Sequence, residues 1–162
     1  MKPRDLLLKN LDELYGIERT LADRVLPETR EQVSNKDFRN ALDEHLEQTR
    51  EHVENVQKVF QLLKERPRGA PSPGFEGLRR QHEAQVDQIE SPDVRDLFIA
   101  GSVAHTEHYE ISAYNAAVSL AAMLGEPEAV RLLEENLHDE EEALEKVEKR
   151  ITEKLSEQLV AG

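Results

Sequence analysis

The chain contains no cysteine, which excludes disulfides, thiolate metal ligands and cysteine nucleophiles. Aromatic residues make up only 4% of it. β-Branched and aromatic runs are scarce, and no Asn-Gly or Asp-Gly dipeptide marks a hairpin, so a sheet has little to build on. Basic residues are in deficit, 21 Lys and Arg against 34 Asp and Glu, for a formal charge of −13. Such an acidic surface repels phosphate backbones and anionic lipids, so neither nucleic acid nor a membrane is an expected partner. No 18-residue apolar run is present. The N-terminus also lacks the apolar core of a signal peptide, which makes the cytoplasm the expected compartment.

What is present is helical periodicity over nearly the whole chain. At 162 residues the length suits one domain, expected to span 1–162, with enough Leu, Val, Ile and Phe for a real core. Helix α1 is expected over about 3–32, with Pro3 in its first turn and a kink at Pro27. A turn at 33–36 leads into α2, about 36–65, with Ser34 or Asn35 as its N-cap. Residues 66–74 hold three Pro and two Gly and read as loop. A short α3 follows at about 75–89. Ser91-Pro92 is a strong start for α4, about 92–124. Pro127 opens α5, about 127–155, with a frayed tail behind it. The turns near 34 and 125 make two antiparallel hairpins, and the long stretch between them can cross the bundle lengthwise. This all-α pattern, two hairpins and one long crossover carrying a short extra helix, is the connection of a ferritin-like four-helix bundle.

Projecting each helix at 100° per residue places certain polar side chains inside the apolar stripes. Glu18 sits among Leu7, Leu11, Leu14, Leu21, Ala22 and Val25 of α1. His45, Thr49 and His52 fall inside the stripe of α2, with Gln48 at its edge. Glu107 and Glu110 share a seam of α4 with Val103, Tyr114 and Ala117. Glu140 is central among Leu133, Leu137, Leu144 and Val147 of α5. Counting from the two turns sets Glu18 level with about residue 50 and Glu140 level with about residue 110. A buried, unpaired carboxylate costs several kcal/mol or takes up a proton. A lone Glu in such a stripe is ordinarily a rim residue whose stem reaches water. Four helices each contributing a polar residue at one height point instead to divalent metal, with carboxylate and imidazole ligands suited to iron or manganese. His45 alone fits a core histidine as well as a ligand. His105, Tyr109 and Ser112 lie on the opposite face of α4, expected to serve packing or a dimer contact. His82, His108, His138 and most of the run 139–142 are expected to be solvated.

Several segments resemble one family. Val103 to Tyr114 (VAHTEHYEISAY) is closely similar to the EHYEIASY helix of the YciF-like, DUF892 ferritin-like proteins. Leu14 to Leu21, His45 to Thr49, Phe75 to Leu78 and Leu132 to Glu140 match in the right order. The resemblance runs from about residue 5 to 152. It implies a rubrerythrin-like fold, a homodimer and a link to stress responses. By motif it assigns metal carboxylates to Glu18, Glu107, Glu110 and Glu140, with His45 and His52 from α2. Two departures from the Glu-x-x-His pattern stand out: Gln48 replaces a common Glu in α2, and Ala143 follows Glu140 at the histidine position. Glu135 and His138 have the spacing but project off the core.

Two functions are in keeping with these residues. One is a di-metal centre of iron or manganese that reduces peroxide or oxidises metal, with Tyr114 as a hydrogen-bond donor beside the ligands. The other is a non-catalytic helical dimer with a vestigial or single-metal site, acting in stress through binding. An iron-storage cage is a third class, less in keeping with the dimeric family.

Overall fold

The computed structural model describes residues 1–161. Among them there is no strand, and five continuous helices account for the architecture. Helix α1 covers 3–32 as Pro3–Thr20, a π-helical turn Leu21–Val25, and Leu26–Gln32. Helix α2 is Lys36–Leu62, α3 is Pro73–Val86 and α4 is Pro92–Met123. Helix α5 covers 127–161 as Pro127–Glu145, a π-helical segment Lys146–Thr152, and Glu153–Ala161.

Local chemistry sets these ends. The Asn35, Ser72 and Ser91 side chains accept from the amides of Phe38, Phe75 and Val94, capping α2, α3 and α4. Gly125 closes α4 with φ +72°, and Glu126 N–H reaches back to the Ala121 carbonyl, the αL glycine stop of a helix. Helices α1 and α2 form one antiparallel hairpin, and α4 and α5 the other. Helix α1 packs on α4, and α2 packs on α5. The crossover climbs the bundle, so α4 begins beside the α1–α2 turn. There the buried Asp96 carboxylate accepts from the amides of Ser34 (2.9 Å) and Asn35 (2.7 Å). Low on α1 the crossover lies flat: Ala70 N–H bonds the Asp12 carbonyl at 3.0 Å. A Cβ on Gly16 would come within 2.6 Å of the Ala70 carbonyl oxygen, so only glycine admits this approach.

Several expectations are corrected. Pro27 does not end α1, which continues through it to Gln32. The π turn just ahead of it adds a residue, with Leu26 N–H bonding the Leu21 carbonyl, and so accommodates a ring that would crowd the carbonyl four residues back. The extra residue rotates the remainder of α1, so Leu26 and Thr29 are buried while Val25 is only half-buried. Helix α2 stops at Leu62, where Lys64 takes φ +58° and turns the chain. Helix α3 starts two residues earlier than expected and ends at Val86. The tail is not frayed at Leu155, because Val147, Ile151 and Leu155 bury one face and carry α5 on to Ala161. His82 is half-buried rather than fully solvated: it stacks on Phe98 at 5.7 Å and bonds the Gln32 amide oxygen. Tyr109, by contrast, packs within the chain as one of its two expected roles has it, its hydroxyl sharing a hydrogen bond with Ser72 at 2.8 Å.

The core falls into two apolar clusters. One end holds Leu7, Leu11, Leu14, Val59, Phe60, Ala117 and Leu133. The other, beside the α1–α2 turn, holds Leu21, Leu26, Phe38, Leu42, Phe75, Ile99 and Val147. Between them lies a polar layer.

Candidate metal centre

Each long helix contributes to that layer from its core face. Glu18 comes from α1, His45, Thr49 and His52 from α2, Glu107 and Glu110 from α4, and Asn136 and Glu140 from α5, all buried. The spacings of three, four and seven residues along α2 and α4 keep these side chains on one face.

Two groups of ligand atoms emerge, in each of which the atoms lie within 4.8 Å of one another: Glu18, His52 and Glu140, and His45, Glu107 and Glu140. Glu140 is common to both. In the first, His52 Nδ1 is 2.9 Å from Glu140 Oε1 and 3.3 Å from Glu18 Oε1. In the second, His45 Nε2 is 3.0 Å from Glu107 Oε1 and 3.8 Å from Glu140 Oε2. These approaches are close, yet they lack hydrogen-bond alignment. Glu18 Oε2, His45 Nδ1 and Nε2, His52 Nδ1, Glu107 Oε2 and both oxygens of Glu110 and Glu140 have no hydrogen-bond partner. Among the described residues, the one other buried side-chain atom without a partner is Arg79 Nε. Buried donors and acceptors are ordinarily satisfied, so this concentration of orphaned lone pairs is the signature of the site.

Glu110 belongs to neither group of three, but it feels the charges of Glu140, Glu18 and Glu107. Asp139, expected to be solvated, instead bonds His52 Nε2 at 3.2 Å. A carboxylate on the far ring nitrogen fixes the imidazole with Nδ1 facing inward. Tyr114, buried, donates to Glu18 Oε1. Asn136 donates to the Tyr114 hydroxyl at 3.0 Å and to the His52 carbonyl at 3.2 Å, and accepts from Asn55 at 2.9 Å. Sequence reasoning missed Asn136 and Asp139. Asn136 lies one turn before Glu140 on the same face, a signal that was available; Asp139 lies beside that face and offered none. Gln48 stays at the edge, half-buried. His105, His108 and His138 are exposed.

For the side chains taken by themselves, burial dominates the electrostatics. It pushes Glu107 up to about 7, and burial with the Glu107 charge pushes Glu140 up to about 8. Burial raises Glu18 and Glu110 as well, Glu110 strongly and with repulsion from its three neighbours. Burial alone would lower His52, but Glu18 and Glu140 overcome it and raise the ring to about 11. The cluster must hold either protons or cations. Its oxygen and imidazole donors, without thiolate, suit a hard or borderline divalent metal. Four ionised carboxylates balance two such ions in charge.

Residues 2–160 match the DUF892 family, a domain of unknown function. The chain is 28% identical to Protein YciF of Escherichia coli over 137 residues, 84% of this chain and 82% of that one. The structure matches YcfI of Rhodopseudomonas palustris, put forward as a structural protein, with TM-score 0.89 and 32% identity over 92% of this chain and 94% of that chain. It also matches the crystal structure of the E. coli stress protein YciF, with TM-score 0.85 and 27% identity over 91% and 92%. A protein from Xanthomonas campestris shares the fold at TM-score 0.75 and 21% identity, over 99% and 95%. The chain belongs to the DUF892 family. Among the described residues no helix is long and apolar enough to cross a membrane.

Proposed function

We propose that this member of the DUF892 family is a metalloprotein of the stress response, holding two iron or manganese ions between its hairpins. The observation that carries the reading is the confinement of orphaned buried atoms, Arg79 Nε apart, to six residues: Glu18, His45, His52, Glu107, Glu110 and Glu140. Glu18 and His52 would hold one ion and His45 and Glu107 the other, with Glu140 shared. Glu110 stands ready as a further carboxylate. Asp139 orients His52, and Tyr114 with Asn136 orients Glu18. Two such ions would supply Lewis acidity and electrons for reductive cleavage of a peroxide, which could equally serve as the oxidant of further metal. The resemblance makes a homodimer the expected assembly, which light scattering measures directly.

The competing reading is a non-catalytic bundle whose carboxylates share protons, favoured by their raised proton affinity. Elemental analysis separates the two, on protein made with iron and manganese supplied and never exposed to chelator. The di-metal reading expects about two equivalents per chain, falling to about one in Glu107→Gln, because ligand loss dismantles a site. A content below about 0.2 equivalents, with a melting point indifferent to chelator, would leave the proton-sharing bundle.

A further inference from the structure

A pocket of about 240 Å³ opens beside the second group of ligand atoms, and His45 and Glu107 form part of its lining. Part of its lining is apolar, Phe38 and Leu42 from α2, Val103 from α4, Ala143 and Val147 from α5, and charged side chains complete it. Val147 belongs to the π-helical segment Lys146–Thr152. That segment therefore shapes the pocket wall, and π turns are frequent at functional sites. The volume is more than ten times the roughly 15 Å³ that admits one water. Hydrogen peroxide alone would leave most of it empty. Small-molecule sites are mostly apolar with a few placed polar groups, and here those groups are the two metal-cluster residues and the half-buried Gln48.

The rim tells against an anion. Lys146 is tied to Glu44 across the mouth. Glu142, Glu145 and Arg150 complete the charged lining. The rim thus carries three acidic groups against two basic ones, on a chain of charge −13. A carboxylate or phosphate substrate would be repelled.

We propose that this pocket is the substrate port of the cluster and selects neutral hydroperoxides with an alkyl or aryl tail. This rests on the di-metal reading above. The tail packs on Phe38, Leu42 and Val147, and the peroxy group meets the His45–Glu107 end. In the reaction served, the O–O bond of ROOH breaks. One oxygen leaves as the alcohol ROH and the other as water. Two protons and two electrons are taken up, the electrons being those that a pair of divalent ions held by the cluster would supply. An external thiol or reduced flavin donor returns those electrons.

The first test needs no metal. Metal-free protein is titrated with 2-phenyl-2-propanol, the unreactive alcohol of cumene hydroperoxide, and amide shifts are followed by NMR. Saturable shifts centred on Phe38, Leu42, Val103 and Val147 are expected, weakened at least tenfold in Ala143→Phe, which fills the port. Ala143→Leu is the milder second variant should the larger side chain disturb folding. In the metal-loaded protein, the filled port should lower kcat/KM for cumene hydroperoxide at least tenfold. Metal content should stay within twofold, and hydrogen peroxide, small enough to pass a narrowed port, should lose at least threefold less than cumene hydroperoxide. Absence of the shifts, or equal loss of both peroxides at unchanged metal content, overturns the proposal. Alcohol binding to a chain that takes up no metal would preserve the pocket while removing the di-metal reading, so the two failures are distinct.

Discussion

The bundle is two unlike halves joined at the carboxylate layer. The half around Leu7, Leu11, Leu14, Val59 and Phe60 is built from regular α-helix, and α4 meets it with alanines at 117 and 121 that let the helices close. The half beside the α1–α2 turn contains both π-helical segments, receives the crossover helix α3, and holds the pocket that reaches His45 and Glu107. One half is an apolar plug. The other departs from regular helix geometry on one side of the carboxylate cluster. The layer between gains nothing from apolar burial and depends on what neutralises it.

That contrast breaks first under metal and pH. Metal at 1,000 times its Kd should stabilise the protein by about 4 kcal/mol over the chelated form. The pH slopes should oppose each other. Glu107 and Glu140 have proton affinities raised to about 7 and about 8, and His52 to about 11. A raised group contributes stability below its unfolded value and loses it as pH rises through the folded one. The chelated protein should therefore weaken between about pH 5 and pH 8, while metal binding, which needs deprotonated ligands, should strengthen. Urea midpoints with Mn(II) or with chelator across that range measure both slopes. A chelated protein that gains stability with pH refutes the account.

Leu11→Ala, in the apolar plug, should cost about 3 kcal/mol. The cost should be equal with and without metal, since Leu11 lies outside the polar layer. A metal-dependent cost in denaturation would mean that the halves are coupled. Asp96→Ala, at the opposite end, strips the partners from the amides of Ser34 and Asn35. About 2 kcal/mol should be lost, with faster hydrogen exchange confined to the α1–α2 turn. The smallest effect is expected from Tyr114→Phe, which removes the hydroxyl linking Asn136 to Glu18. About 1 kcal/mol should go from the chelated protein, and manganese affinity should fall about tenfold with the loss of a ligand-orienting bond. Unchanged affinity by calorimetry would reduce Tyr114 to packing.

Much of the fold was legible in the chain itself. Helix periodicity, the caps at Asn35 and Ser91, the glycine stop at 125 and the length of the crossover suffice for two hairpins. Glu18, Glu107, Glu110 and Glu140 were legible because period 3.6 sets them among residues that must be buried, where a carboxylate is conspicuous. Asp139 was not, because it sits at the edge of its helix face, and only the height of α5 against α2 brings it to His52. Asp96 was missed for a similar reason: its partners are amides 61 and 62 residues away. The phase change after Val25 was hidden because a regular α-period carries no sign of an inserted residue.

What the sequence determined by itself is what repeats locally: helix, turn, and which face is apolar, since each is set by neighbours three or four residues apart. What only the tertiary structure decided is the pairing of ligands into two groups around Glu140, the bonds that orient them, and the pocket on one side. Those depend on the heights and rotations of four helices against one another, and in α1 and α5 a single π turn is enough to change both.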